Sequence, residues 1–179
     1  MMSGIPASGK SSLAHRMSPM LDIPIIDKDD ILEASFKSLE AIDPAQRQAM
    51  SRKADTILRK RAELQSCAIL VSHWRRSELS TTSGTPVEWL FDLPRTIEVH
   101  CSCDPRTAVS RFMERTRHPA HGDSTTDPTE LLAQYRSHAD LGPLGIGRLV
   151  AVDTDTTPDI VQVLRSITED GDRLADRSP

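Results

Sequence analysis

Residues 4–11 have the types and spacing of a loop that binds phosphate groups. They read Gly-Ile-Pro-Ala-Ser-Gly-Lys-Ser, so two glycines frame the loop and a lysine and a serine follow. Such glycines let backbone N–H groups turn inward around phosphate oxygens, and the helix that follows adds its positive N-terminal end. Lys10 would reach the β- and γ-phosphates, while the Ser11 hydroxyl would bind a magnesium ion that bridges them. The residues expected to bind the phosphates are Gly4, Ile5, Pro6, Ala7, Ser8, Gly9, Lys10, Ser11 and Ser12.

Three aspartates follow the apolar run at residues 23–26 and offer the carboxylates that phosphoryl transfer needs. A carboxylate placed across from the γ-phosphate can orient an acceptor hydroxyl and accept its proton. We assign this role to Asp29, the support of magnesium through water to Asp27, and the capping of the next helix to Asp30. The alternative is that all three acids only cap that helix, because acids are common near helix starts.

Arg111 and Arg115 are four positions apart on a predicted helix and therefore share one face. Two guanidinium groups on one face can converge on phosphate oxygens. Together with the loop up to residue 128 they form a candidate lid at residues 111–128 that would close over a bound nucleotide. The alternative is a solvated basic face. Two further arginines, Arg75 and Arg76, follow a predicted strand and could bind an anionic acceptor.

The rest of the chain alternates predicted helices with short apolar strands. Helices are predicted at residues 10–18, 30–40, 44–65, 104–118, 129–139 and 158–167, with a short one near 87–91. Strands are predicted at residues 23–27, 67–72, 95–103 and 148–153. This alternation implies a parallel sheet covered by helices on both faces, with ligands at the carboxyl ends of the strands. Residues 1–167 are thus one predicted domain, and residues 168–179 a polar tail.

On these motifs the chain resembles the small P-loop kinases and AAA-like ATP-binding proteins. That family includes polynucleotide 5′-kinase domains, chloramphenicol phosphotransferase, zeta toxins and gluconate kinases. The resemblance spans nearly the whole chain and rests on residues 4–11, on the acidic turn at residues 26–30, and on Arg111 and Arg115. It implies an α/β three-layer sandwich with strand order 2-3-1-4-5 and an ATP lid between the fourth and fifth strands. It also implies that Asp29 matches the base of the polynucleotide-kinase-like members.

The sequence departs from that family at two places. Only three residues precede Gly4, so the first strand, from which the loop normally hangs, is largely missing. Because that strand is central in the family's order, we expect a gap in the sheet, and we interpret the chain as beginning inside its natural first strand. A version with about five or six apolar residues before Met1 should then be more stable. The third predicted strand ends in Ser72 and His73, where many such proteins carry an aspartate that supports magnesium.

Composition and charge exclude several classes of protein. The 179 residues are 37% hydrophobic and 27% charged, as in soluble globular proteins. A net charge of −4 argues against a protein that holds duplex DNA by its backbone. No apolar run could span a bilayer and no secretory signal opens the chain, so we expect a cytoplasmic protein. The three cysteines are expected to be reduced, with a metal site at residues 100–103 as the weaker alternative.

The sequence therefore predicts an ATP-dependent kinase that uses magnesium and moves the γ-phosphoryl group to a hydroxyl of a small molecule or nucleotide. An ATPase and a nucleotide-binding protein without transfer activity are the alternatives. Neither the acceptor nor the oligomeric state follows from the sequence. The predicted catalytic residues are Lys10, Asp29, Arg111 and Arg115, and the predicted metal ligands are Ser11 and Asp27.

Overall fold

The computed structural model describes residues 1–36, 43–79, 83–115 and 127–168, and within these ranges strands alternate with helices. The strands are β1 (Met2–Ser3), β2 (Ile25–Asp27), β3 (Ile69–Val71), β4 (Ile97–Ser102) and β5 (Arg148–Asp153). The helices are α1 (Lys10–Leu21), α2 (Lys28–Phe36), α3 (Pro44–Glu63), α4 (Pro105–Glu114), α5 (Pro128–Asp140) and α6 (Ile160–Thr168), with a 3₁₀ turn at Glu88–Asp92. None of these helices is long and apolar enough to cross a membrane.

Three of the helices begin with the same two-residue signal. Asp43, Asp104 and Asp127 each precede a proline at the first helical position, and each aspartate side chain accepts a backbone N–H of the first turn. The aspartate satisfies a donor that the helix leaves unpaired, and the proline has no such donor to lose. These signals are local, which is why the starts of α3, α4 and α5 agree with the prediction within a residue.

All strands of the sheet run parallel in the order β2-β3-β1-β4-β5, which confirms the expected strand order. The central strand β1 has only two residues. Even so, Met2 pairs with Val71 on one side and Val99 on the other, and Ser3 pairs with His100. The expected gap is thus filled over these two residues, and the sheet is continuous at the point where the phosphate loop leaves it.

Side chains from distant parts of the chain hold this short strand in place. The Trp74 indole N–H donates to the Met2 carbonyl at 2.6 Å, and the Ser3 hydroxyl donates to Glu98 Oε1 at 2.5 Å. Glu98 is fully buried and also accepts the backbone N–H groups of residues 144–146. A buried carboxylate with four donors is well satisfied, so this network anchors β1 to β4 and to the loop before β5.

The strands alternate their apolar side chains between two helical layers. In β3, Leu70 packs in the cluster that includes α2 and α3, whereas Ile69 and Val71 pack in the cluster that includes α1 and α6. This period of two buries both faces of the sheet. A third cluster joins Ile5 of the loop to α4 and α5, and it includes Tyr135. The result is the expected three-layer sandwich, with Ile5 of the phosphate loop packed against α4 and α5.

Several predicted element boundaries are wrong. Helix α1 continues through Pro19 to Leu21, because the proline lies in the last turn and Asp22 closes the helix with a left-handed backbone at φ 53°. Helix α2 begins at Lys28, so Asp30 lies inside its first turn and is not its cap. Helix α4 ends at Glu114, four residues before the predicted end.

Candidate functional site

The phosphate loop adopts a backbone that its glycines make possible. Gly4, Ala7 and Gly9 all have positive φ, at 125°, 59° and 86°. A side chain at Gly4 would place its Cβ 2.4 Å from the Cys101 carbonyl oxygen, which real contacts do not allow. Gly9 precedes the first residue of α1, so the loop runs directly into that helix N-terminus. The structure therefore has the strand, loop and helix sequence that the motif requires.

Lys10 lies inside the loop. Its side chain is 8% exposed, and its ammonium donates to the carbonyls of Gly4 at 3.0 Å and Ile5 at 2.7 Å. Burial lowers its pKa to about 8, against the opposing pull of Asp29 and Asp27. The loop thus holds a buried cation, and a bound anionic ligand would offset the energetic cost of its desolvation.

Ser11 and Asp27 meet at the edge of the sheet. The Ser11 hydroxyl donates to Asp27 Oδ2 at 2.9 Å, and the other carboxylate oxygen accepts the Asp29 backbone N–H at 2.9 Å. Burial raises the Asp27 pKa, and those two hydrogen bonds oppose the rise. Asp27 therefore caps α2, and it also presents a carboxylate beside the serine of the phosphate loop.

One cleft of about 360 Å³ brings most of the predicted residues together. Lys10, Ser11, Asp27, Asp29 and Arg115 all line it. Asp29 is exposed in the first turn of α2 and faces the same space as the phosphate loop.

A second cleft, of about 300 Å³, lies on the other side of Gly9. It is lined by Ser12, Arg111 and Arg115 together with the segment after β5. Arg111 donates to the Thr154 carbonyl at 2.8 Å and to the Asp155 carbonyl at 3.3 Å. Of the two arginines only Arg115, just beyond the end of α4, lines both clefts. Of the predicted lid at residues 111–128, residues 116–126 lie outside the described residues.

His73, at the carboxyl end of β3, borders the first cleft and a smaller pocket that His138 also lines. Its ring centroid is 5.5 Å from that of His138 on α5. Burial is the main cause, and the nearby charges of Lys10 and His138 add to it; together they lower the His73 pKa to about 3. His73 is therefore neutral at physiological pH, and it is a weak base.

We expect His73 to make the protein acid-sensitive. Its pKa is lower in the folded chain than in the unfolded chain, where it is near 6.5, so the unfolded state binds more protons between these values. The contribution of neutral His73 to the free energy of unfolding is fully present above pH 6.5. It should fall by about 2–3 kcal/mol as the pH drops towards 4. Chemical unfolding at several pH values should show a shallower dependence in His73→Gln than in the exposed control His15→Gln. Parallel curves would contradict the assignment.

Two arginines after β3 have structural partners. Arg75 donates to the Gly84 carbonyl at 3.2 Å, and Arg76 donates to the carbonyls of Gly142 and Pro143. Both guanidinium groups thus tie loops to the end of β3. Arg76 also lines the smaller pocket beside His73, and neither side chain lines the first cleft.

Sequence reasoning missed an ion pair that lies behind the acidic turn. The Lys28 ammonium is 2.6 Å from Asp55 Oδ1, and both side chains are largely buried. Thr85 donates to the same oxygen at 2.7 Å. Nothing local in the sequence links a residue of α2 to a residue of α3 and a loop, so no short pattern could have revealed this network.

Comparisons with solved structures agree with this architecture. A structure from Chloroflexus aurantiacus described as a "putative kinase" matches with a TM-score of 0.72 and 26% identity, over 94% of this chain and 95% of that one. A shikimate kinase from Bacteroides thetaiotaomicron matches with a TM-score of 0.64 and 17% identity, over 97% and 96% of the two chains. A deoxyadenosine kinase from M. mycoides with bound dATP matches at 0.55 and 15%, over 96% and 97%.

By sequence, no protein-family model matches the chain, and no curated protein gives a significant match. The assignment therefore depends on structure. The strand order is that of the expected family, and the loop between β1 and α1 has its phosphate-binding motif. Together with the structural matches, these features show that the chain has the fold of the small P-loop kinases.

Proposed function

We propose that the protein is an ATP-dependent kinase that transfers the γ-phosphoryl group to a hydroxyl of a small molecule or nucleotide. One observation carries the proposal: a single cleft contains the loop lysine, the loop serine, a buried carboxylate and a second, exposed carboxylate. These are Lys10, Ser11, Asp27 and Asp29. They supply a cation for the phosphates, a place for a metal and a base for the acceptor, which are the parts that phosphoryl transfer requires.

The residues present fit the triphosphate and magnesium. Ser8 is fully buried, and its hydroxyl has no hydrogen-bond partner among the described residues, so a phosphate oxygen could satisfy it. Ser11 and Asp27 supply one hydroxyl and one carboxylate for magnesium. Among the residues that the structure describes, no cluster of three or more His, Cys, Asp or Glu could hold a metal. Mg²⁺ suits these few protein ligands, because it usually keeps several waters and binds substrate phosphates. Held by Ser11 and Asp27, it would neutralise charge on the phosphates.

Asp29 is the residue that we assign to the acceptor hydroxyl. Its carboxylate is exposed to the cleft and close enough to Lys10 to affect the lysine electrostatically. In transfer, it would orient the hydroxyl and take its proton as the oxygen–phosphorus bond forms. His73 also borders the cleft, but with a pKa of about 3 it is a poor proton acceptor. Asp27 is already committed to Ser11 and to the start of α2.

The two clefts suggest how the nucleotide lies. We place the triphosphate over the loop and the nucleoside in the second cleft, beside Ser12 and Pro158. Arg115 borders both spaces and is positioned to neutralise charge on the moving phosphoryl group. Arg111 would hold the segment after β5 through its bonds to Thr154 and Asp155. As part of the same proposal, the enzyme acts in the cytoplasm, where ATP is supplied.

Replacing Arg115 by alanine should lower the turnover number by about 10–100-fold and change nucleotide affinity less, because the charge acts mainly on the transition state. Arg115→Lys should also slow transfer if the contact is bidentate. The matched control is Arg106→Ala, which removes an exposed arginine at the other end of α4. Equal turnover in the Arg115 and Arg106 variants would assign Arg115 to a solvated basic face.

Two alternatives, an ATPase and a nucleotide-binding protein, differ from a kinase in the fate of the γ-phosphoryl group. Two of the similar structures are named for different substrates, shikimate and deoxyadenosine, so the fold leaves the acceptor open. ATP labelled in the γ-phosphate should therefore be incubated with a panel of sugars, sugar acids and nucleosides. Label in an acceptor would support the kinase. Label only in inorganic phosphate would support the ATPase, and label that stays in ATP would support the nucleotide-binding protein.

A further inference from the structure

The acidic turn contains a cation whose position matters for the proposed chemistry. Lys28 lies between Asp27 and Asp29 in the sequence, and all three residues line the same cleft. A lysine ammonium that paired with either carboxylate would offset the charge meant for a metal or an acceptor hydroxyl. In the structure, the ammonium instead lies 2.6 Å from Asp55 Oδ1 on α3.

Asp55 is itself held from a second direction. Its Oδ1 accepts the Thr85 hydroxyl at 2.7 Å, and Thr85 in turn lies 2.5 Å from the Ser72 hydroxyl. Because the single hydroxyl proton of Thr85 goes to Asp55, Ser72 must be the donor in that second bond. The chain of bonds runs from the end of β3 to Asp55 and on to Lys28, and Ser72 and Thr85 are buried.

The backbone around Thr85 explains why its hydroxyl lies there. Thr85 donates its N–H to the His73 carbonyl and accepts the Arg75 N–H, both at 2.8 Å. Gly84 has a φ of 91°, and a side chain there would meet the Arg75 backbone at 2.9 Å. The loop is thus fixed to the segment after β3, and the position of Asp55 is set by backbone as well as by side chains.

We propose that Asp55 is a positioning residue that keeps the Lys28 ammonium away from the carboxylates of Asp27 and Asp29. This rests on the proposed function of those two carboxylates. With Asp55 in place, the Lys28 ammonium pairs with α3 and links that helix to α2. Without Asp55, the nearest acids along the chain from Lys28 are the two that the cleft uses.

The test compares variants that do and do not retain the displaced cation. Asp55→Asn keeps the shape and the Thr85 bond but removes the charge that holds Lys28. Its affinity for Mg-ATP should fall about 10-fold, as for other residues that orient a metal site through a second group. Adding Lys28→Met should restore affinity to within about threefold of wild type, because no ammonium then competes. A crystal structure of Asp55→Asn should show Lys28 Nζ within about 4 Å of an Asp27 or Asp29 oxygen.

Two further variants provide a second test and a control for this comparison. Thr85→Val serves if Asp55→Asn folds poorly. It removes only one support of Asp55, so the affinity for Mg-ATP should fall by less, and Lys28→Met should again restore it. Glu63→Gln breaks the exposed pair with Arg59 on the same helix and should leave affinity unchanged. Asp55 would be only structural if Lys28→Met gave no relief in either background, or if Lys28 stayed clear of both carboxylates.

The proposal and the proposed function fail in different ways. A wild-type protein that binds Mg-ATP with this variant pattern, but transfers phosphate to no hydroxyl, would disprove the kinase and leave Asp55 as a positioning residue. A wild-type protein that binds no nucleotide would disprove the site. The crystal structure of the free Asp55→Asn variant would then still decide where Lys28 goes.

Discussion

Replacing Asp29 by asparagine is expected to slow phosphoryl transfer by about 10²–10⁴-fold, the usual contribution of a positioned general base. The amide keeps the shape of the side chain but cannot take the hydroxyl proton. Nucleotide affinity should change little, because Asp29 acts on the acceptor side of the cleft. Single-turnover kinetics with saturating ATP would measure the transfer step directly.

The adjacent residue provides the control for this prediction. Asp30 is also an exposed acid in the first turn of α2, but it does not line the cleft. Asp30→Asn should therefore keep the transfer rate and lose about 0.3–1 kcal/mol of stability through the weaker interaction with the helix N-terminus. Similar transfer rates in the Asp29 and Asp30 variants would move the base elsewhere in the cleft.

Replacing Lys10 by alanine should weaken ATP binding and lower kcat/KM by about 10²–10³-fold, because the loop would lose the cation that stabilises charge on the phosphates. Since Lys10 is buried and bonded to two carbonyls, its removal also affects the loop itself. Lys10→Met, which keeps the length of the side chain, therefore accompanies it. Calorimetry with Mg-ATP and steady-state kinetics measure the two losses.

An exposed lysine supplies the comparison for Lys10. Lys53 lies on α3 and faces solvent, so Lys53→Ala changes the net charge by the same amount without touching the loop. Its affinity and activity should match those of wild type. If both Lys10 variants bound and turned over ATP as well as the Lys53 variant, the assignment of the phosphate loop would be wrong.

Features of the fold that depend on short-range signals were predictable from the sequence. The Asp-Pro starts of α3, α4 and α5 are local, and so is the motif that places a loop before α1. The strand order followed from the resemblance that this motif carries. Boundaries were less accurate where tertiary contacts decide them, as at Pro19, which the last turn of α1 tolerates.

Features that depend on long-range packing could not be predicted. The two-residue strand β1 persists because Trp74 and Glu98 bond to it from more than 70 positions away. The burial that lowers the His73 pKa and the contact between Lys28 and Asp55 also come from segments far apart in the chain. The end of a predicted strand and the family resemblance together predicted Asp27 and Asp29 beside the loop, but they could not show which side chain keeps Lys28 away from them.

The most direct measurement of the central claim is ³¹P NMR of the protein with Mg-ATP and each acceptor in turn. For the right acceptor, the γ-phosphate resonance should disappear while ADP and a phosphomonoester resonance with proton coupling appear in equal amounts. The same mixture with Asp29→Asn should form the ester far more slowly, by the 10²–10⁴-fold expected of a lost base. If the γ-phosphate appeared only as inorganic phosphate with every acceptor, or never left ATP, the protein would not be the hydroxyl kinase proposed.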